Sequence, residues 1–230
     1  MTLSIDRVDI ELRFRDVRKL LSYIKNQESR ATPPLDSDET KIFRGLFYVH
    51  LYGAFEKSIN EAVQVYLREV GSLKIATFHT SCRFWPSFLD SDFKSLQSTQ
   101  GSKNWAKRGK FVDAIESSQT CIISDGLFAE QLQNIWPETL DMVLSYLGLK
   151  VPTWDEASVF SLREVVDKRN QVAHGRTSPL RVGSSGRSDY LEHRFESIYS
   201  LLDNFVEYLE QGFASLSYIK PEFHAIYASR

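Results

Sequence analysis

Hydrophobic and polar positions alternate along most of the chain with the period of an α-helix. In each such stretch, apolar side chains return every three or four residues between charged ones, which is typical of amphipathic helices. The stretches cover residues 3–25, 38–70, 137–147, 155–174 and 189–216. The apolar face of the second stretch is wide, running from Phe43 to Tyr66. We therefore expect a central helix that contacts neighbours on two sides.

Residues that favour caps and turns mark the ends of the second and fourth stretches. Asp36 and Glu39 resemble a capping box at the start of the second stretch, and Gly71 marks its end. Residues 153–156, TWDE, resemble a capping box at the start of the fourth stretch, which Gly175 ends. We predict helices bounded by these residues.

Two segments lack helical periodicity. The pattern of residues 72–135 predicts short helices and loops, and we interpret this segment as an irregular insertion. The Gly- and Ser-rich residues 177–188 predict a flexible loop that could act as a lid. Eleven Gly and seven Pro are few for 230 residues, which disfavours a turn-dense β-sandwich. We predict one all-α domain, residues 1–230, built as a bundle of four to five main helices.

Composition and charge narrow the function classes. Hydrophobic residues make up 42% of the chain and charged residues 25%, as in ordinary globular proteins. The net charge of −2 gives no overall bias towards nucleic acid, although a local basic patch is enough to bind RNA. We expect no transmembrane helix, no signal peptide and a cytoplasmic location. Cys82 and Cys121 are expected to be buried small hydrophobes, and two cysteines nearly exclude a Cys-ligated metal site.

The fourth stretch carries the residues with the clearest chemistry. Arg169 falls within its apolar stripe, where a guanidinium is costly unless it is paired or lines a cleft. Asn170 and His174 lie one turn apart on the shoulder of that stripe, and the helix end beside His174 favours a protonated imidazole. An imidazole can move protons, a guanidinium can stabilise phosphoryl oxygens and an amide can orient them, so this set suits phosphate chemistry.

A purely structural role for these residues is the alternative. Arg169 could bridge a buried carboxylate, and His174 could cap the helix with its side chain. The spacing alone leaves both interpretations open.

The sequence around this triplet resembles the signature of the HEPN superfamily in its RNA-cleaving form. The resemblance rests on residues 166–175, VDKRNQVAHG, in which Arg is followed by Asn and, five positions after the Arg, by His. Residues 46–57, LFYVHLYGAFEK, also resemble the long early helix of prokaryotic HEPN nucleases. Residues 72–135 resemble no family.

The resemblance implies a metal-independent endoribonuclease that uses no cofactor. Such enzymes form homodimers in which two motif helices face one composite cleft, and the RNA 2′-hydroxyl attacks the adjacent phosphate to leave a 2′,3′-cyclic phosphate. It implies that His174 is the general acid and base, Arg169 stabilises the transition state and Asn170 supports it. A non-catalytic HEPN interaction or nucleotide-binding module is the alternative.

The resemblance also implies a biological setting. HEPN ribonucleases of this type act as bacterial toxins or anti-phage defence effectors, and they need an antitoxin or another regulatory partner. One subgroup is neutralised by nucleotide transfer onto a tyrosine two residues after the His. Arg176 occupies that position here, so this form of regulation is not expected.

Further candidate residues surround the triplet. Glu56 lies at the edge of the apolar face of the second stretch, where it could orient Arg169 or His174 or could be an ordinary exposed residue. Basic side chains of the Gly- and Ser-rich segment are candidates for binding substrate phosphates: Arg176, Arg181 and Arg187.

A basic and aromatic stretch lies within residues 72–135. It consists of Lys103, Trp105, Lys107, Arg108 and Lys110. This mixture is typical of contacts to an RNA backbone combined with base stacking. A solvated loop anchored by its tryptophan is the alternative.

Overall fold

The computed structural model of the chain describes residues 2–98, 101 and 103–228. The helices are α1 (Arg7–Gln27), α2 (Asp38–Ser72), α3 (Asp90–Gln97), α4 (Lys103–Ile115), α5 (Pro137–Tyr146), α6 (Glu156–Ala173), α7 (Pro179–Gly183), α8 (Ser188–Ala214) and α9 (His224–Tyr227). Short 3-10 turns lie at Thr77–His79, Cys82–Ser87, Gln131–Gln133 and Pro221–Phe223. The described residues form no β-strand, only two isolated bridges. The predicted all-α class is confirmed.

Helix α2 is the centre of the bundle, as its wide apolar face predicted. It packs against α1, α6, α7 and α8. Its large aromatic side chains are almost fully buried along the whole length of the helix, from Phe47 through Phe55 to Tyr66. Burying each such side chain contributes on the order of 2 kcal/mol, so this helix carries much of the stability of the fold.

The start of α2 differs from the prediction. Ser37, not Asp36, is the N-cap, and its hydroxyl accepts the N–H of Thr40. The helix also continues through Gly71 and ends at Ser72. The prediction of a capping box headed by Asp36 was wrong because a tertiary partner, Arg44, binds this carboxylate.

Arg44 is the centre of a buried cluster of charges. Its side chain is only 3% exposed, and its Nη2 lies 2.6 Å from Glu28 Oε1 and 2.5 Å from Asp36 Oδ2. Arg187 adds a second guanidinium, 3.3 Å from Glu28, and the Ser188 N–H donates to the same carboxylate at 2.8 Å. The cluster therefore joins the end of α1 to the starts of α2 and α8.

Acidification is expected to weaken this cluster. Burial raises the pKa of Asp36, but hydrogen bonds from Arg44 and the Ser29 N–H lower it by more, so the folded pKa lies below its ordinary value. A lowered carboxyl pKa stabilises the fold above the unfolded pKa of about 4, and this contribution disappears as the pH falls through the folded value. The free energy of unfolding in urea should therefore drop more between about pH 7 and pH 3 in the wild type than in Asp36→Asn. Equal drops would contradict this assignment.

Helix α6 begins and ends close to the predicted positions, with a different cap. Asp155 is the N-cap and accepts the N–H of Ser158 at 2.9 Å, so the capping box predicted from Thr153 was wrong. Its last residue is Ala173. Gly175, as predicted, turns the chain away from the helix with a φ of +65°.

The Gly- and Ser-rich segment after α6 is only partly the predicted loop. Residues 179–183 form α7, which packs closely on α2. A Cβ atom on Gly183 would lie 1.8 Å from the Lys41 carbonyl oxygen, and one on Gly45 would lie 2.1 Å from the Pro179 carbonyl oxygen. Only glycine allows the two backbones to approach this closely, so α7 is packed against α2 and is not a free loop.

The segment between α2 and α5 consists of short helices and turns, as expected. Its basic stretch is part of α4, which packs on α3. Cys82 is exposed, so the prediction that both cysteines are buried was wrong for this one, whereas Cys121 is buried and its thiol pKa is raised to about 11 by that burial. None of the described helices is both long and apolar enough to cross a bilayer.

Candidate active site

Arg169 lies on the face of α6 that meets α2. Its Nη2 is 3.3 Å from Glu56 Oε2, and its guanidinium carbon is 4.5 Å from the centre of the Tyr52 ring. The side chain is 22% exposed. It follows Val165 and Val166 by four and three residues, so it continues the buried stripe of α6 towards the end of the helix, as predicted, with part of the guanidinium exposed. The carboxylate, the ring and solvent together offset the cost of placing this charge near the core.

Glu56 is the carboxylate that pairs with Arg169. Burial raises its pKa, while Arg169 and the Tyr52 hydroxyl lower it by less, so the net shift is upward. Burial also raises the pKa of Tyr52 to about 12, which keeps its hydroxyl protonated and able to donate to Glu56. The same hydroxyl accepts the N–H of Ile135 at 2.7 Å. The position of Glu56 is thus fixed from two sides.

Asn170 links Arg169 by hydrogen bonds to the segment before α5. Its Oδ1 accepts a hydrogen bond from Arg169 Nη1 at 2.8 Å. Its Nδ2 lies 3.4 Å from Asn134 Oδ1. The two edges of the Arg169 guanidinium are therefore held by different partners, Glu56 and Asn170.

His174 is the C-cap of α6 and is exposed to solvent. Its backbone N–H closes the last turn on the Asn170 carbonyl oxygen at 3.1 Å. The turn at Gly175 leaves the space beside it open, since a Cβ there would meet no atom within 4 Å. Among the described residues, the imidazole of His174 and the guanidinium of Arg176 have no hydrogen bond or ion pair. Both groups can therefore reach a bound molecule.

The other predicted basic residues near the motif have different surroundings. Arg181 is exposed on α7. Arg187 belongs to the buried charge cluster, where it also donates to the Ser29 carbonyl oxygen at 2.8 Å. A phosphate would have to displace these partners to bind Arg187.

The basic and aromatic stretch forms one part of α4. Trp105 is 73% exposed and lies on a helix. The alternative of a solvated loop anchored by this tryptophan was therefore wrong. The Arg108 guanidinium carbon lies 4.8 Å from the centre of its ring. Lys107 donates to the Ser95 carbonyl oxygen at 3.2 Å, and the side chain of Lys103 lies outside the described residues. A cation and an indole face are thus presented together on the surface.

The sequence analysis did not identify two residues of the site, Tyr52 and Asn134. Tyr52 precedes Glu56 by four positions on α2, and this spacing could have placed it on the same face. Asn134 belongs to an irregular segment, and no pattern in the sequence connects it with α6. No group of three or more His, Cys, Asp or Glu side chains suited to a metal occurs in the described part of the chain.

Comparison of the sequence with protein-family models gave a match. The family model described as RiboL-PSP-HEPN matches residues 9–211. This range runs through residues 72–135, which the motifs alone connected with no family. Comparisons with curated proteins and with solved structures gave no significant match. Since the matched range covers most of the 230 residues and includes the motif helix, this chain belongs to the RiboL-PSP-HEPN family of the HEPN superfamily.

Proposed function

We propose that the protein is an endoribonuclease of the HEPN type that needs no metal. The observation that carries this proposal is the arrangement at the end of α6. Arg169 is held at its two edges by Glu56 and Asn170, and an unpaired, exposed His174 follows one turn later. A structural arginine and a capping histidine would explain the first feature but not the second, because the imidazole caps nothing.

The chemistry follows from the roles of these groups. The RNA 2′-oxygen forms a bond to the adjacent phosphorus, its proton passes to an imidazole, and the bond from phosphorus to the 5′-oxygen breaks. The leaving oxygen takes a proton from a second acid. Arg169 stabilises the charge on the phosphoryl oxygens, and general acid–base catalysis by a positioned imidazole contributes about 10²- to 10⁴-fold.

Two proton transfers require two groups, whereas each chain supplies one exposed imidazole at the motif. A symmetric dimer solves this problem, since His174 of one subunit can accept the proton and His174 of the partner subunit can donate one. We therefore place the site between two copies, with the α6 ends facing each other. The exposed Arg176 and Arg181 are proposed to bind neighbouring phosphates, and the Trp105–Arg108 pair is proposed to contact RNA further along.

The oligomeric state tests this arrangement. Sedimentation equilibrium at about 20 μM is expected to give twice the chain mass, because a composite site requires a stable symmetric contact. The measurement should be repeated with His174→Ala, which removes the imidazole but leaves the helices. A monomer at tens of micromolar would argue strongly against a shared site.

Metal independence is the second test. Cleavage of a single-stranded RNA is expected to keep its full rate in excess EDTA, because the proton-transfer and charge-stabilising groups belong to the chain. A metal-dependent nuclease assayed in parallel provides the control. Loss of cleavage in EDTA that magnesium restores would contradict the mechanism.

The proposed setting is a cytoplasmic bacterial toxin or anti-phage effector controlled by an antitoxin or another regulatory partner. An RNA-cleaving enzyme with an open site damages its host unless a partner restrains it. Expression of the wild type alone should therefore arrest growth, whereas expression of His174→Ala should not.

A further inference from the structure

The last residues of the segment before α5 follow the face of α2 that carries Glu56. The Leu132 carbonyl oxygen accepts a hydrogen bond from Asn60 Nδ2 at 3.1 Å, and the Ile135 N–H donates to the Tyr52 hydroxyl at 2.7 Å. Leu132 and Ile135 are buried in the core. Tyr52 and Asn60 are eight residues apart, about 12 Å along a helix, with Glu56 halfway between them. The segment is therefore fixed at both ends beside the site.

Asn134 lies between these two anchors and is exposed. Its Oδ1 is 3.4 Å from Asn170 Nδ2. The orientation of the Asn170 amide is not free, because a guanidinium has only donors and therefore takes the Oδ1 side. The NH₂ group of Asn170 must then point away from Arg169. Asn134 supplies the acceptor on that side.

We propose that Asn134 is a positioning residue of the ribonuclease site, an inference that rests on the proposed function. It fixes the amide of Asn170 and, through it, the edge of Arg169 that Glu56 does not hold. The segment between α2 and α5, whose motifs alone indicated no family, thereby contributes a residue to the site. The position of Arg169 then depends on residues from α2, from α6 and from the segment before α5.

The surroundings of Asn134 make its effect on catalysis separable from any effect on folding. Its side chain is exposed and its contact is with Asn170, so its removal leaves no buried polar group behind. A misplacement of about 1 Å in an active site can cost as much as 10²-fold in rate. The loss should therefore appear in turnover and not in thermal stability.

The experiment compares three variants in RNA cleavage. Asn134→Ala is expected to lower kcat about 10-fold with KM within twofold, because transition-state contacts are affected and substrate binding is not. Asn134→Asp, which keeps an oxygen acceptor for Asn170, is expected to restore most of kcat. Gln133→Ala, an exposed neighbour in the same segment, is the matched control and should behave as the wild type.

A second readout does not depend on activity. The side-chain amide signals of Asn170 in ¹⁵N–¹H spectra should move towards those of a free amide in Asn134→Ala and stay in place in Gln133→Ala. A wild-type kcat in Asn134→Ala, or unmoved Asn170 signals, would overturn the positioning role and leave the nuclease proposal intact. If wild type and His174→Ala are equally unable to cut RNA, the proposed function itself fails, and the positioning role in catalysis fails with it.

Discussion

Replacement of His174 by alanine is expected to abolish RNA cleavage while leaving the fold and the dimer intact. The side chain is exposed at the end of α6, so the free energy of unfolding should change by no more than about 0.5 kcal/mol. Removal of a general acid–base group costs about 10²- to 10⁴-fold in rate. Both proton transfers of a composite site lose their group at once, so we expect a loss at the upper end of this range.

Two further variants sharpen the test. His174→Gln keeps a polar side chain but cannot transfer a proton, and it should be nearly as inactive as the alanine variant. His193→Ala removes an exposed histidine from α8 and should cleave at the wild-type rate. Cleavage by purified His174→Ala at the wild-type rate would refute the nuclease proposal and favour a non-catalytic HEPN interaction or nucleotide-binding module.

Replacement of Arg44 by alanine is expected to give the largest loss of stability. The substitution leaves the carboxylates of Glu28 and Asp36 buried next to each other without their main counter-ion. Breaking a buried ion pair by removing one partner costs about 3–5 kcal/mol, because the remaining charge stays desolvated. Arg187 compensates only in part, since its contact to Asp36 is 3.7 Å long.

Arg68→Ala is the matched control on the same helix. Its guanidinium is 61% exposed and lies 3.8 Å from Asp125, so its removal should change the free energy of unfolding by less than about 1 kcal/mol. Urea denaturation followed by circular dichroism gives both values. Similar midpoints for Arg44→Ala and Arg68→Ala would show that the buried cluster contributes no more than a surface pair.

The positions of α1, α2, α5, α6 and α8 could be predicted because apolar periodicity is a local signal. The cap of α2 was misassigned because Asp36 binds Arg44, two turns into the helix, and leaves the cap position to Ser37. The cap of α6 was misassigned because Asp155, two residues after Thr153, accepts the N–H of Ser158. Helix α7 was missed because glycine and serine are typical of loops. Its glycine, Gly183, is instead required by the close contact with α2. Tertiary contacts thus decided the features that the periodicity could not.

The candidate site was predictable to a different degree for each residue. Arg169, Asn170 and His174 share one helix, and their spacing was enough to group them. The contact between Glu56 and Arg169 was one of two alternatives for Glu56, because a guanidinium beside the core needs a carboxylate but the sequence does not say which one. Asn134 is 36 residues from Asn170 along the chain, and only the folded structure brings the two amides together.

The close backbone contact between α7 and α2 has a consequence for how such an enzyme can be regulated. His174 lies on the short connection between α6 and α7, and both of these helices pack against α2. The α7 end of that connection is held by the Gly45 and Gly183 contacts, so α7 cannot move over His174 without separating from α2. For the proposed dimer, this favours an inhibitor that fills the space between the two α6 ends or keeps the two copies apart.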